Sequence, residues 1–106
     1  MATQFVEKPT ALEIEQQVAE FLINHVGDRV CVAEVSYNPA RHAWQVKLGL
    51  SYPFLGVIGI VGEALVTAEH GIELTTSLEE VKQRAERLYE QNKEAIEAAF
   101  SQRQRP

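Results

Sequence analysis

Apolar and polar residues change their period several times along this chain, and each change marks an element. Between Ala11 and Val26, the residues Ile14, Val18, Phe21, Leu22, His25 and Val26 recur at spacings of three and four, which on a helix of 3.6 residues per turn is one stripe. Glu13, Gln16, Gln17, Glu20 and Asn24 take the other side. Thr10 followed by Glu13 is a capping box and Pro9 stands just ahead, so a helix is expected to start at Ala11. Gly27 is expected to end it, with Asp28 as the turn residue.

From Val30 the pattern shortens to period two. Val30 to Tyr37 is β-branched and apolar, and plain alternation puts Cys31, Ala33, Val35 and Tyr37 on one side, Val30, Val32, Glu34 and Ser36 on the other. Asn38-Pro39-Ala40-Arg41 is turn chemistry. Trp44, Val46, Leu48 and Leu50 then alternate strictly with Ala43, Gln45, Lys47 and Gly49, as in a sheet with one face buried and one wet. Ser51 to Gly56 holds Pro53 and a glycine and reads as a loop, an apolar one because of Tyr52, Phe54 and Leu55.

A third strand is expected from Val57 to Ala68. Alternation places Ile58, Ile60, Ala64 and Val66 on one face and Val57, Val61, Glu63 and Leu65 on the other, while Gly59 and Gly62 suggest a bend, a bulge or close approach by another backbone. Glu69-His70-Gly71 turns into a short strand, Ile72 to Thr75. Ser77 and Glu80 form a second capping box, and Leu78 to Phe100 has no internal glycine or proline, which predicts one long helix. Its stripe runs Leu78, Val81, Ala85, Leu88, Asn92, Ala95 and Ala99, widened by Tyr89, Ile96 and Phe100. Residues 1–9 and 101–106 are expected to fray.

The expected fold is therefore α+β in the order α-β-β-β-β-α: an antiparallel meander of three long strands and one short one, with an N-terminal and a long C-terminal helix packed mainly on one face. At 106 residues this is one domain. A content of 45% hydrophobic and 24% charged residues fits a globular chain rather than a membrane protein or a disordered tail.

Charge narrows the partners. Of the 15 acids and 10 bases, nine acids and four bases fall in residues 1–75, and six of each in residues 76–106. Four scattered bases among nine acids do not build a face that neutralises several phosphates, so neither nucleic acid nor an anionic membrane surface is expected as a partner. Cys31 is the single cysteine, which rules out an internal disulfide and fits a reducing compartment. The N-terminus lacks the basic start and apolar run of a secretory signal, so the expected location is cytoplasmic.

Candidate chemistry is sparse. Cys31 lies in an apolar strand, where burial keeps a thiol protonated. His25, His42 and His70 fall in different elements without metal-ligand spacing, so no metal, cofactor or catalytic set is expected. Glu63 is the acid that interrupts an apolar strand, and with His42, Tyr52 and Phe54 it forms the candidate ligand-binding set for a pocket between the sheet and the 51–56 loop. Asn92 interrupts a core stripe, either because a polar residue there fixes the register of a helix pair or because the stripe leaves the core at that point and the last turns are exposed.

The order of helix, strand, hairpin and strand, followed by Gly62-Glu63-Ala64-Leu65-Val66-Thr67-Ala68-Glu69-His70-Gly71-Ile72, resembles PepSY-like domains over about residues 11–75. Glu69 and Gly71 echo the acid, turn and glycine that close the late strand there. That resemblance implies a helix packed against a small antiparallel sheet; it implies no functional residue in this chain.

A meander with helices on one face leaves the other face open. Val57, Val61 and Leu65 on that face, with Tyr89, Ile96 and Phe100 on the last helix, are the expected interface residues. The expected function is a non-enzymatic, homodimeric interaction or regulatory module, because two-fold dimers are the commonest assembly of small proteins. The alternative is a small-molecule-binding protein or small enzyme using the 51–56 pocket.

Overall fold

The computed structural model describes residues 9–27 and 29–104. The elements are α1 (Ala11–His25), β1 (Val30–Asn38), β2 (Ala43–Tyr52), β3 (Gly56–Thr67), β4 (Gly71–Leu74), α2 (Leu78–Gln91) and α3 (Lys93–Gln104). The four strands form one antiparallel sheet in the order β1-β2-β3-β4. The fold is the α+β meander that the periodicity predicts.

The first capping box closes on both sides: Thr10 Oγ1 accepts from the Glu13 N–H at 3.2 Å, and Glu13 Oε1 accepts from the Thr10 N–H at 2.9 Å. The second closes on one side. Ser77 Oγ accepts from the Glu80 N–H at 3.1 Å, while the Glu80 carboxylate turns to Arg84 one turn on. Asp28, the expected turn residue, lies outside the described residues, as do positions 1–8, 105 and 106. Helix continues through the 101–104 stretch that was expected to fray.

Both helical layers lie on one face of the sheet, α1 over β1 and α2 over β3. From α1 the stripe residues Ile14, Val18 and Leu22 are buried. His25, expected to be partly buried, is exposed beside Phe21, with ring centroids 4.4 Å apart. The core they enter holds Val46, Leu48 and Leu50 of β2, Val61, Ala64 and Val66 of β3, and Val81 of α2. Each fully buried aliphatic side chain contributes about 1.5–3 kcal/mol relative to an exposed one.

Three bulges interrupt the plain alternation, inverting it for β1 beyond Ala33 and for β3 only between Ile58 and Val61, while Ala64 and Val66 keep the core face and Glu63 and Leu65 the open one. In β1, Val32 pairs with Leu48 and Glu34 with Lys47, so Ala33 is extra. A bulge moves every later side chain to the other face. Val30, Val32, Val35 and Tyr37 therefore all lie opposite the core row of β2, and Cys31, Glu34 and Ser36 face away. In β3, Gly62 pairs with Leu48, Ile60 with Gly49, Gly59 with Leu50 and Val57 with Ser51, which leaves Val61 and Ile58 as the extra residues. Val61 turns into the core and is 0% exposed; Ile60, expected in the core, is 47% exposed on the open face.

The glycines after the bulged residues have a packing cause. A Cβ on Gly59 would stand 2.6 Å from a Leu88 methyl, and one on Gly62 would stand 3.0 Å from a Val81 methyl and 3.1 Å from Thr76 Cβ. Val81 and Leu88 are two turns apart on α2, so the helix lies down on β3 where side chains are missing. Close approach and bulge, offered by the sequence as alternatives, occur together.

The expected long C-terminal helix is broken at one residue. Asn92 leaves helical geometry at φ −116°, ψ 17°, and its Nδ2 donates to the Leu88 carbonyl at 2.8 Å. The same carbonyl also accepts from the Asn92 backbone N–H at 3.0 Å, so the side chain adds a second bond to it, and the chain restarts as α3 with the Ile96 N–H donating to the Asn92 carbonyl at 2.9 Å. The Asn92 carboxamide is thus engaged with its own helix.

Candidate functional site

The four residues proposed from sequence for a ligand pocket do not converge. His42 sits exposed in the β1–β2 turn with φ 50°, at the end of the sheet opposite to Tyr52 and Phe54. Glu63 is mid-strand on the open face, paired in register with Lys47. Its backbone, not its carboxylate, is engaged: the N–H donates to Thr76 Oγ1 at 3.1 Å, and the carbonyl accepts from the Thr75 hydroxyl at 3.0 Å. Phe54 occupies the tip of the β2–β3 turn, which the Leu55 N–H closes onto the Tyr52 carbonyl at 3.1 Å. The pocket expected between the sheet and the 51–56 loop is replaced by a tight turn. Among the described residues no cluster of three or more His, Cys, Asp or Glu side chains is arranged to hold a metal ion.

Phe54 holds a left-handed backbone, φ 71°, a position that turns of this kind give to glycine or asparagine. A bulky L-residue there costs about 1–2 kcal/mol, and the side chain is nevertheless 60% exposed. Beside this turn the open face of the sheet is apolar. Val57 and Ile60 are each 47% exposed. The missing side chain of Gly49 is overlaid by Val57 and Ala33, whose methyl groups would lie 2.7 and 3.2 Å from a Cβ there. Cys31, one strand over, shares this face; burial raises its thiol pKa, and a hydrogen bond with Ser51 partly offsets the rise.

A charged row bounds this patch. Glu34 on β1, Lys47 on β2 and Glu63 on β3 are in register on the open face, with Lys47 Nζ 3.9 Å from Glu34. Beyond it Leu65, half-buried, pairs with Gln45. Of the interface residues expected on β3, Val57 and Leu65 lie on the open face and Val61 does not; Ile60 takes its place. Only the bulges, signalled in sequence by the glycines that follow Ile58 and Val61, reveal the exchange.

The other three expected interface residues lie on the helical side. Beyond the bend at Asn92, Ile96 is 3% exposed and Phe100 is half-buried. Tyr89 and Tyr52 have ring centroids 6.2 Å apart. Ile96 and Phe100 share with them and Arg29 a hollow of about 600 Å³. The chain itself covers much of the surface assigned to a partner.

A larger cleft, about 920 Å³, opens on the other side of the same tyrosines. It exists because α1 and α2 pack over different strands and leave the end of β2 between them unroofed. Val30, Leu50, Val81 and Ala85 line its depth, with Tyr52 and Tyr89 at one end. Arg29 stands at the mouth with its guanidinium carbon 4.6 Å from the Tyr52 ring centroid, a cation–π distance. Lys82, Glu86, Arg87 and Glu90 form the α2 rim. Arg29 and the cleft escaped the sequence reading because the two helices that frame them are distant in sequence.

Among the described residues no helix is long and apolar enough to cross a membrane. Compared with protein-family models, curated proteins and solved structures, the chain matches none.

Proposed function

We propose that the chain is a non-enzymatic interaction module that works as a homodimer, with the open face of the sheet as the surface where two copies meet. The observation that carries this reading is the patch of Val57 and Ile60, each 47% exposed, on a face that no described element covers. An apolar centre bounded by the Glu34, Lys47 and Glu63 row has the anatomy of an interface core and its polar rim. A two-fold dimer uses one patch twice, so a single self-complementary surface suffices. With strands about 4.8 Å apart and about 3.3 Å per residue, the face over β1 to β3 measures on the order of 14 by 30 Å. That footprint reaches about half of the roughly 800 Å² per partner of a standard interface, and the Phe54 turn and β4 adjoin it. The dispersal of Glu63, His42, Tyr52 and Phe54 supports the non-enzymatic part of the reading. A cytoplasmic, reducing setting suits a single thiol on this face.

Light scattering over a wide concentration range tests the proposal. Two chains of 11.9 kDa should associate, Ile60→Lys and Val57→Lys should return the mass of one chain, and Glu63→Gln should leave the dimer intact. A single-chain mass at every concentration, or lysine variants that dimerise like the parent, would refute it.

A further inference from the structure

We infer that the cleft between α1 and α2 is a binding site for a small carboxylic acid with an apolar body, its carboxylate on Arg29 and its body along Val30, Leu50, Val81 and Ala85. This site is on the helical side of the sheet and is independent of whether the open face is paired. Its volume of about 920 Å³ is that of a small-molecule pocket, and an apolar depth with a few convergent polar groups is the usual make-up of one.

The charges select the ligand's sign. On the α2 rim, Lys82 and Glu86 are four residues apart and Arg87 and Glu90 three apart, spacings at which opposite charges on a helix are neighbours. The rim is thus balanced along its own helix. Arg29 comes from the facing wall, between α1 and β1, and no described acid lies within 4.0 Å of it. Glu97 of α3 shares the adjoining hollow with Arg29, but makes no ion pair with it. Stacking on Tyr52 restricts the guanidinium and leaves its edge donors for a planar, two-oxygen acceptor. The carbonyl ends of α1 lie near the same mouth, which favours a cation there; Arg29 supplies that cation, and a carboxylate completes the pairing.

Titration calorimetry with octanoate, octylamine and octanol tests this, since the three share one body and differ in charge. Octanoate should bind most tightly, and Arg29→Gln should weaken it by about tenfold or more, the loss expected for one charged hydrogen-bonded pair, while leaving octanol unchanged. Ala85→Trp should block all three by filling the cleft. If that variant folds poorly, methyl shifts of Val30, Leu50 and Ala85 in the parent protein locate the bound body instead. Equal or tighter binding of octylamine, octanoate binding that survives Arg29→Gln, shifts confined to the open sheet face, or no binding at millimolar concentration would each overturn the assignment.

Discussion

Ile60 and Val61 are neighbours in sequence and alike in character, yet one is 47% exposed and the other 0%. The difference between them is the difference between the two faces of the sheet. On the helical side, β3 gives up side chains at Gly59 and Gly62 so that Leu88 and Val81 of α2 can lie against its backbone, and Val61 fills the core beside them. On the open side the same strand presents Val57 and Ile60 with nothing from the described residues above them. One face closes within the chain. The other is proposed to close between chains.

The largest expected effect comes from placing a charge on the closed face. Val61→Asp buries a carboxylate with no partner and should cost at least about 3 kcal/mol, or prevent folding altogether; urea unfolding monitored through Trp44 fluorescence measures it. Gly62→Val should cost about 1–3 kcal/mol in the same assay, because its side chain must displace Val81 and Thr76. Ile60→Lys, one residue from Val61, should change the stability of the single chain by no more than about 0.5 kcal/mol, so that its effect appears in association alone. A large loss from Ile60→Lys in dilute protein would mean that the bulges do not divide the strand as described.

The smallest effect concerns Cys31. Burial holds its thiol pKa above the ordinary value, with the Ser51 hydrogen bond partly opposing. A raised native pKa means that folding favours the protonated thiol. The associated stability is complete below the unfolded thiol's pKa and fades as pH rises through the higher native one. Alkylation of native protein should therefore accelerate at a higher pH than alkylation of protein unfolded in urea; coincident profiles would contradict the shift.

The comparison also separates what the sequence makes legible from what it hides. β2 has no bulge of its own, and its strict alternation from Trp44 to Leu50 predicts its buried row. α1 is equally legible, because its capping box and stripe are local. In β1 one extra residue inverts the assignment of everything that follows; in β3 two extra residues invert only the stretch between them, and the apolar residues on both faces conceal the inversion. Gly59 and Gly62 carry the signal, but their meaning depends on where α2 lies, which is a tertiary fact. Asn92 is similar. Nothing in local propensity stops the helix there, and the break shows only in the Asn92 backbone angles, with the carboxamide adding a second donor to a Leu88 carbonyl that already accepts the Asn92 N–H. Arg29, Tyr52 and Tyr89 meet only because three segments distant in sequence come together at one end of the sheet.

The central claim, one face closed within the chain and one closed by a second copy, is tested most directly by solvent paramagnetic broadening of methyl signals at low and high protein concentration. Val61 should be protected at both concentrations, and Val57 and Ile60 should be broadened when dilute and protected when concentrated. Val57 and Ile60 methyls that remain equally accessible at every concentration, or a Val61 methyl as accessible as that of Ile60, would contradict the account.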